Sequence, residues 1–316
     1  MARVLFVSEN PLGRCENLTK VYHALDCDKE FRLHHYSMRN AEREGFDAVV
    51  FDALPIRIEG KSHCRTFSLG HGIEGGKLYG YDEGDRAPWF DPVASAQTDY
   101  AIAASEKNAA IVAKQLCLPE ERVLPLGFPR TDDYFGVRRP GHDGRVYLYA
   151  PTFRNGDGHL PRIDWGKVDG LLGDDETLIV KRHYYDGARI TDGAYRHIVE
   201  QDPSDASFPY LVRCDVLLTD YSSIVFDAYL LGVPAVLTVD DKDEYLAVRG
   251  MYYPYPSFYS SRWLRAEGNE EDLLNMLREA AQYGMGDAER ECIRTVAGAC
   301  DGHSTERVCE LIRNTI

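Results

Sequence analysis

The stretch Leu217-Leu218-Thr219-Asp220-Tyr221-Ser222-Ser223-Ile224-Val225-Phe226-Asp227 decides the fold of this chain. The apolar run from Asp215 to Leu218 predicts a buried parallel strand, and the amphipathic stretch from Ile224 to Leu231 predicts a helix. A sharp turn between them directs free backbone N–H groups and the positive end of a helix dipole at one point. A phosphate group suits that point, and the hydroxyls of Ser222 and Ser223 would add donors. The alternative is that one serine serves only as the N-cap of the helix.

Short apolar runs alternate with helical stretches along the chain, which is typical of parallel α/β layers. Strands are predicted at Val4–Ser8, Arg32–Tyr36, Ala48–Phe51, Thr66–Leu69, Tyr100–Ala103, Val123–Pro125, Val146–Tyr149, Leu178–Lys181, Val216–Leu218 and Ala235–Thr238. Helices are predicted at Glu106–Leu116, Ser222–Leu231, Glu270–Gln282, Glu289–Ala297 and Ser304–Arg313.

A polar segment divides this pattern into two halves. The run Arg138-Arg139-Pro140-Gly141-His142-Asp143-Gly144 breaks the alternation. We therefore predict a first domain over residues 1–132, a linker over about 133–144, and a second domain over residues 145–316. No G-x-G-x-x-G follows the first strand, so a dinucleotide-binding function has little support.

The composition of the 316 residues excludes several classes of protein. The hydrophobic content of 44% supports packed cores, and no apolar run approaches the roughly 20 residues that span a bilayer. The N-terminus is too soon polar for a signal peptide, so a cytoplasmic enzyme is expected. The eight cysteines show no metal-ligand spacing. The net charge of −15 argues against nucleic acid and against electrostatic docking on anionic membranes.

Five sequence blocks resemble, in order, those of the CDP-glycerol glycerophosphotransferases, which are polymerases and primases of teichoic acids and related capsules. Thr219 to Ser223 with Phe226-Asp227 is similar to the C-terminal motif of that family. The other four blocks are Leu126-Gly127-Phe128-Pro129-Arg130-Thr131-Asp132, Tyr149-Ala150-Pro151-Thr152-Phe153-Arg154, Asp240 to Tyr245 with Arg249-Gly250, and Asp301-Gly302 with Glu306-Arg307-Val308. The resemblance covers roughly residues 64 to 312. With the two halves, it implies the GT-B architecture, in which two Rossmann-like domains flank a cleft.

The resemblance implies two catalytic histidines. His71 lies in Leu69-Gly70-His71-Gly72, directly after a predicted strand, and corresponds to the proposed general base of the family. In this block Gly70 replaces the family's tryptophan, and Lys77 lies one residue later than in the family. His183, in Lys181-Arg182-His183, corresponds to a histidine at the donor phosphates. The alternative for each is an exposed loop histidine without a catalytic role.

The remaining site residues are expected to bind the donor or phosphate. A guanidinium at Arg154 suits bidentate phosphate binding, and Asp227 suits a ribose or glycerol hydroxyl or a structural hydrogen bond. Donor contacts are predicted for Thr152, Arg154, Lys181, Thr219, Asp220, Ser222, Ser223 and Asp227, and phosphate or acceptor contacts for Lys77, Arg130 and Arg249. The alternative for Arg130 and Arg249 is an ion pair with one of the many carboxylates. The acidic run Asp240–Glu244 lacks regular ligand spacing and is interpreted as a solvated loop. We therefore expect no metal and no cofactor.

The predicted function is transfer of glycerol phosphate, or a related alditol phosphate, from a CDP-activated donor to an acceptor hydroxyl, which forms a phosphodiester and releases CMP. The acceptor would be a glycan or a lipid-linked molecule. Either a partner would bring the enzyme to the inner face of the membrane, or the acceptor would be more soluble than is usual in the family. Two alternatives remain open at this point. One is a UDP- or GDP-sugar glycosyltransferase or epimerase of the same fold, and the other is a binding protein without catalytic activity.

Overall fold

The computed structural model describes residues 2–14, 16–33, 40–41, 45–52, 57–58, 64–70, 72–73, 76–87, 90–139, 141–152, 162–183 and 194–316. The chain forms two compact units. Unit 1 comprises Met1–Phe135 with Thr295–Ile316, and unit 2 comprises Gly136–Arg294. Each unit contains a six-stranded parallel sheet with helices, so the predicted pair of Rossmann-like α/β domains is confirmed.

A parallel sheet forms the centre of unit 1. The strands of this unit are β1 (Arg3–Ser8), β2 (Asp28–Leu33), β3 (Asn40–Ala41), β4 (Ala48–Phe51), β5 (Arg57–Ile58), β6 (Arg65–Ser68), β7 (Tyr100–Ile102) and β8 (Val123–Leu124). The sheet order is β2-β1-β4-β6-β7-β8, while β3 and β5 pair separately. Strand β1 is almost wholly apolar because both of its faces are covered: Val4, Leu5 and Phe6 are each 0% exposed.

The strand order of this sheet reverses between β1 and β4. Strand β2 lies on one side of β1, and the later strands of the same sheet, β4, β6, β7 and β8, lie on the other side. Open parallel sheets bind ligands beyond the carboxyl ends of their strands at such a switch point. Glu9 follows β1 and Asp52 follows β4 at this edge. The next strand, β6, leads into Leu69 and Gly70.

Unit 2 has its own parallel sheet. Its strands are β9 (Arg145–Tyr149), β10 (Glu176–Val180), β11 (Ile198–Glu200), β12 (Val216–Thr219), β13 (Ala235–Thr238) and β14 (Trp263–Leu264). The order β11-β10-β9-β12-β13-β14 places the switch point between β9 and β12. The Thr219–Ser223 turn therefore lies at the position where such sheets bind ligands.

The α-helices accompany the two sheets, and each of them except the one at Lys242–Val248 buries apolar side chains. They are α1 (Glu16–Ala24), α2 (Pro92–Ala96), α3 (Glu106–Gln115), α4 (Trp165–Leu171), α5 (Phe208–Arg213), α6 (Ile224–Leu230), α7 (Lys242–Val248), α8 (Glu270–Tyr283), α9 (Asp287–Ala297) and α10 (Ser304–Thr315), with 3-10 helices at Gly80–Arg86, Glu120–Arg122 and Pro129–Tyr134. Arg278 on α8 donates from Nη2 to Oε2 of the buried Glu176 on β10 at 2.6 Å. This ion pair fixes α8 on the sheet of unit 2.

The end of the chain belongs to unit 1, whereas the sequence assigned residues 295–316 to the second domain. The reason is a set of polar contacts between two of the five sequence blocks. The carboxylate of Asp132 accepts hydrogen bonds from the N–H groups of Ser304 and Thr305, at 2.9 and 2.7 Å. The Arg307 guanidinium donates from Nε to the carbonyl of Leu126 at 2.9 Å. These contacts hold the start of α10 against the 3-10 helix at Pro129–Tyr134.

Several elements differ from the sequence prediction. Strand β2 begins at Asp28, four residues before the predicted start at Arg32, and residues 34–36 lie outside the described ranges. Helix α7 occupies part of the acidic run that was interpreted as a solvated loop. Helices α1, α2, α4 and α5 and strands β11 and β14 were not predicted. In the portion of the chain that the structure describes, no helix has the length and apolar character needed to cross a membrane.

Candidate active site

Three chain segments with predicted donor residues meet at the carboxyl edge of the unit 2 sheet. Thr152 follows β9, Lys181 to His183 follow β10, and Asp220 to Ser223 follow β12. Because β10, β9 and β12 are adjacent and parallel, these segments lie side by side. The structure therefore brings most of the predicted donor residues to one edge. Arg154 lies outside the described residues.

Thr219 and Asp220 fasten the loop after β12 to the loop after β9. The hydroxyl of Thr219 donates to the carbonyl of Ala150 at 2.6 Å, and the Asp220 Oδ1 atom accepts from the Thr152 N–H at 2.7 Å. Thr219 and Asp220 are only 0% and 2% exposed. These contacts join the two loops, and a donor contact by Thr219 or Asp220 stays a prediction. Thr152 is itself buried, at 8% exposure.

The two serines differ in their surroundings. The Ser222 hydroxyl accepts a hydrogen bond from the N–H of Ile224 at 3.4 Å, which is a long cap contact. Ser223 occupies the N-cap position of α6, but its side chain makes no cap hydrogen bond and the residue is exposed. The N-cap alternative therefore applies in part to Ser222 and does not explain Ser223. A donor contact by these hydroxyls stays a prediction.

Lys181 and Arg182 are buried, while His183 is exposed. The Lys181 ammonium donates to the carbonyls of Arg182 and Pro203, at 3.0 and 2.9 Å. Burial lowers the pKa of Lys181, against the opposing effect of Asp205 and Asp202. Arg182 pairs with Glu200 on β11. Lys181 thus stabilises the chain around Pro203, and His183 is the residue of this block that faces solvent.

A stacked pair of tyrosines packs the Thr219–Ser223 turn against α7. The rings of Tyr221 and Tyr245 stack with centroids 3.8 Å apart and planes 7° apart. The Tyr221 hydroxyl also donates to Asp241 Oδ1 at 2.8 Å. Two blocks of the sequence, at Thr219–Asp227 and at Asp240–Gly250, are therefore packed together. Asp227 is buried in α6 at 8% exposure, and Arg249 is half-buried just after α7.

The loop after β6 in unit 1 carries the predicted catalytic histidine. His71 itself lies outside the described residues, but Leu69, Gly70 and Gly72 are described. Gly70 has φ +64°, and a Cβ atom there would lie 2.9 Å from the Phe128 ring. A tryptophan, which the resembled motif has at this position, would be strained and would collide with Phe128. Gly70 fits this backbone conformation, whereas the tryptophan of the resembled motif does not.

Arg130 lies beside the same loop. A Cβ atom on Gly72 would lie 3.6 Å from Arg130 Nη2, so the guanidinium is next to the residue that follows His71. Arg130 Nη1 donates to the Tyr134 hydroxyl at 2.8 Å and lies 3.8 Å from Glu16 Oε2. Its side chain is 12% exposed. The structure therefore places Arg130 beside Gly72 in the loop after β6. A phosphate or acceptor contact by Arg130 or by the half-buried Lys77 stays a prediction.

Two carboxylates at the switch point of unit 1 were missed by the sequence analysis. Ser8 donates from its hydroxyl to Asp52 Oδ2 at 2.9 Å, and Asp52 is 8% exposed. Burial raises the pKa of Asp52 to about 6. Loss of hydration, and secondly the charge of Asp52, raises the pKa of Glu9 to about 7. No local motif marks this pair, because the two residues follow different strands.

Most of the chain matches the model of a known protein family. Residues 53–314 match the model of the family described as CDP-Glycerol:Poly(glycerophosphate) glycerophosphotransferase. The chain is 27% identical over 235 residues to a teichoic acid ribitol-phosphate primase of Bacillus spizizenii, covering 68% of this chain and 59% of the relative. It is 27% identical over 228 residues to a teichoic acid glycerol-phosphate primase of Bacillus subtilis, covering 69% and 58%. The chain thus spans less than two thirds of the length of these relatives.

Solved structures share the fold. The wall teichoic acid polymerase TagF superposes with a TM-score of 0.76 at 20% identity, covering 98% of this chain and 88% of that chain. A UDP-GlcNAc 2-epimerase from Neisseria meningitidis, bound to UDP-GlcNAc, superposes with a TM-score of 0.61 at 12% identity, covering 99% and 100%. Both likenesses concern the fold alone.

Proposed function

Because this chain belongs to the CDP-glycerol:poly(glycerophosphate) glycerophosphotransferase family, we propose that it transfers an alditol phosphate from a CDP-activated donor to an acceptor hydroxyl. The observation that carries the proposal is the position of the Thr219–Ser223 turn at the switch point of the unit 2 sheet, where it contacts Thr152 after β9; His183 follows β10, the next strand of the sheet. The relatives are named for ribitol phosphate and for glycerol phosphate. Glycerol and ribitol are therefore the alditols to test.

In the proposed reaction the acceptor oxygen attacks the phosphorus that bears the alditol. A new P–O bond forms to the acceptor, the bond from that phosphorus to the bridging oxygen breaks, and CMP leaves with the bridging oxygen. His71 takes the proton of the acceptor hydroxyl. Ser223, Ser222 and His183 hold the donor diphosphate, and the positive charge of Arg154 offsets the negative charge on the transferred phosphoryl group. Unit 2 binds the donor, and unit 1 supplies the proton acceptor.

We propose further that this reaction needs no metal ion. The acidic run is the evident candidate for a cation site, and two of its carboxylates are engaged by protein donors. Asp241 Oδ1 accepts from the Tyr221 hydroxyl at 2.8 Å, and Asp240 Oδ1 accepts from the Glu267 N–H at 2.8 Å. Activity should therefore survive EDTA. Loss of activity with EDTA that magnesium restores would contradict this point.

The acceptor is proposed to be the hydroxyl end of a glycan or of a lipid-linked molecule. The net charge of −15 disfavours direct electrostatic binding to anionic lipids. A partner, or the acceptor itself, would then bring the chain to the inner face of the membrane. Flotation with anionic vesicles tests this: binding by the isolated chain without acceptor would contradict the need for a partner.

The experiment that tests the function is a donor screen. Purified protein is incubated with CDP-glycerol, CDP-ribitol, UDP-GlcNAc or a GDP-sugar, together with a short poly-alditol phosphate acceptor, and the nucleotide products are measured. We expect CMP from a CDP-alditol and a product longer by one alditol phosphate. Conversion of UDP-GlcNAc with no turnover of either CDP-alditol would favour the epimerase or glycosyltransferase alternative.

A further inference from the structure

One buried asparagine joins the three elements around the His71 loop. Asn17, on the first turn of α1, is 3% exposed. Its Nδ2 atom donates to the carbonyls of Leu69 and Gly70, at 3.2 Å each. Its Oδ1 atom accepts from the N–H of Arg130 at 3.0 Å. A single amide group thus fixes the two carbonyls that precede His71 and the backbone of Arg130.

These three contacts need an amide. A carboxylate could accept from Arg130 but could not donate to the carbonyls, and an ammonium could not accept. Gly70 adds a second constraint, because its φ of +64° and the Phe128 ring leave no space for a side chain. The loop is therefore held from both sides, by Asn17 and by Phe128, just before the residue that the resemblance makes catalytic.

We infer that Asn17 is a positioning residue for transfer: it sets the backbone that carries His71 and couples it to Arg130. This inference rests on the proposed function for its kinetic form. Reacting groups must be held within a fraction of an ångström, and residues behind the reacting groups provide that rigidity. Asn17 does not touch substrate and acts through the loop.

The kinetic test uses two substitutions at this position. Asn17→Ala removes all three hydrogen bonds, while Asn17→Asp keeps the volume and the acceptor for Arg130 and loses both donations. We expect either variant to lower kcat by about 30-fold or more, since small displacements of catalytic groups have effects of this order. Donor affinity, which belongs to unit 2, should stay within about twofold, because the substitution removes no donor contact.

Thr66→Ala is the matched control. Thr66 is 2% exposed at the other end of β6, where its hydroxyl contacts the Gln97 carbonyl, Asp99 Oδ2 and the Asp99 N–H. Its removal destabilises the same strand without touching the loop. The control should keep kcat within about threefold of wild type once folding is verified, as expected for a change distant from the reacting groups. If Thr66→Ala loses as much as Asn17→Ala, a general loss of stability explains both and the inference is overturned.

A double variant tests whether Asn17 acts through His71. If it does, Asn17→Ala should have no further effect in a His71→Ala background. Additive losses, or an Asn17→Ala enzyme within about threefold of wild type, would overturn the inference, since coupled residues are non-additive. The two variants at Asn17 keep the test possible if one of them fails to fold.

An NMR measurement separates this inference from the proposed function. The ten histidines give imidazole signals, and His71→Gln identifies the signal of His71. Asn17→Ala should shift that signal, whereas Thr66→Ala should leave it unchanged. If no CDP-alditol is turned over by wild type, the proposed function fails and this signal alone decides: a shift supports positioning by Asn17, and an unmoved signal overturns it.

Discussion

Asp220 accepts a hydrogen bond from the N–H of Thr152 at 2.7 Å, and this contact joins the ends of two adjacent strands in unit 2. Asp220 is 2% exposed and Thr152 is 8% exposed. Asp220 is therefore a buried motif residue that holds together two loops of the proposed donor site.

Replacement of Asp220 should affect stability and donor binding together. Asp220→Ala leaves the Thr152 N–H without its acceptor, so the free energy of unfolding of unit 2 should fall by about 1–3 kcal/mol. The donor loops would also lose their mutual register, and CDP should bind more weakly by calorimetry. Asp220→Asn retains an acceptor oxygen and should be milder. CDP affinity unchanged in a folded Asp220→Ala protein would remove Asp220 from the site.

Ser223 should matter for the donor and little for stability. Its side chain makes no cap hydrogen bond, so Ser223→Ala should change the free energy of unfolding by less than about 0.5 kcal/mol, well below an ordinary cap loss. We expect CDP and CDP-glycerol to bind more weakly to this variant. Thermal shift with each ligand provides the measurement. A variant that binds CDP as tightly as wild type would show that the hydroxyl does not contact the diphosphate.

Glu176 should make the stability of unit 2 sensitive to acid. The hydrogen bond from Arg278, with further donors at Gly173 and Tyr147, lowers the pKa of Glu176 to about 2 from its usual 4.5. A carboxylate with a lowered folded pKa contributes stability above pH 4.5, and that contribution is lost as the pH falls toward 2. It amounts to up to about 3 kcal/mol. Urea unfolding between pH 3 and 7 should show this slope, and Glu176→Gln should flatten it.

Asp52 should make the stability of unit 1 depend on pH in the opposite direction. Burial raises the pKa of Asp52 to about 6, so folding favours the protonated carboxyl. The free energy of unfolding of unit 1 should therefore fall as the pH rises through that value. Asp52→Asn should therefore stabilise unit 1 at pH 8, by up to about 3 kcal/mol, and have little effect at pH 4. Melting temperatures at the two pH values give the comparison. Destabilisation at pH 8 would mean that the ionised carboxylate makes a favourable contact.

The sequence predicted most of the central strands because runs such as Val4–Ser8 and Val216–Leu218 are apolar and bounded by polar turns. It missed α1 and α7, which are short and rich in polar residues. Edge strands β11 and β14 are also short, and Val199 and Trp263 within them are exposed. The return of α10 to unit 1 depends on Asp132 meeting Ser304, a contact that no local pattern reports.

The candidate site was predictable only in part, for the same physical reason. Ser222, Ser223 and His183 lie at strand ends, where motif and topology agree. Thr219, Asp220 and Lys181 belong to the same motifs, but their side chains are buried against neighbouring loops. Asn17, Glu9 and Asp52 form no motif, because the residues that they contact or affect are distant in the sequence. Tertiary hydrogen bonding therefore decides which motif residues are buried and which are exposed.

The fate of the donor phosphorus tests the central claim most directly. CDP-glycerol labelled with ³²P on the phosphate that bears glycerol is supplied with the acceptor, and CMP and the extended acceptor are separated. Phosphoryl transfer predicts that the label moves to the acceptor and that CMP is unlabelled. Label that stays with the released nucleotide, as CDP, would show that the enzyme transfers glycerol without phosphate and would contradict the account.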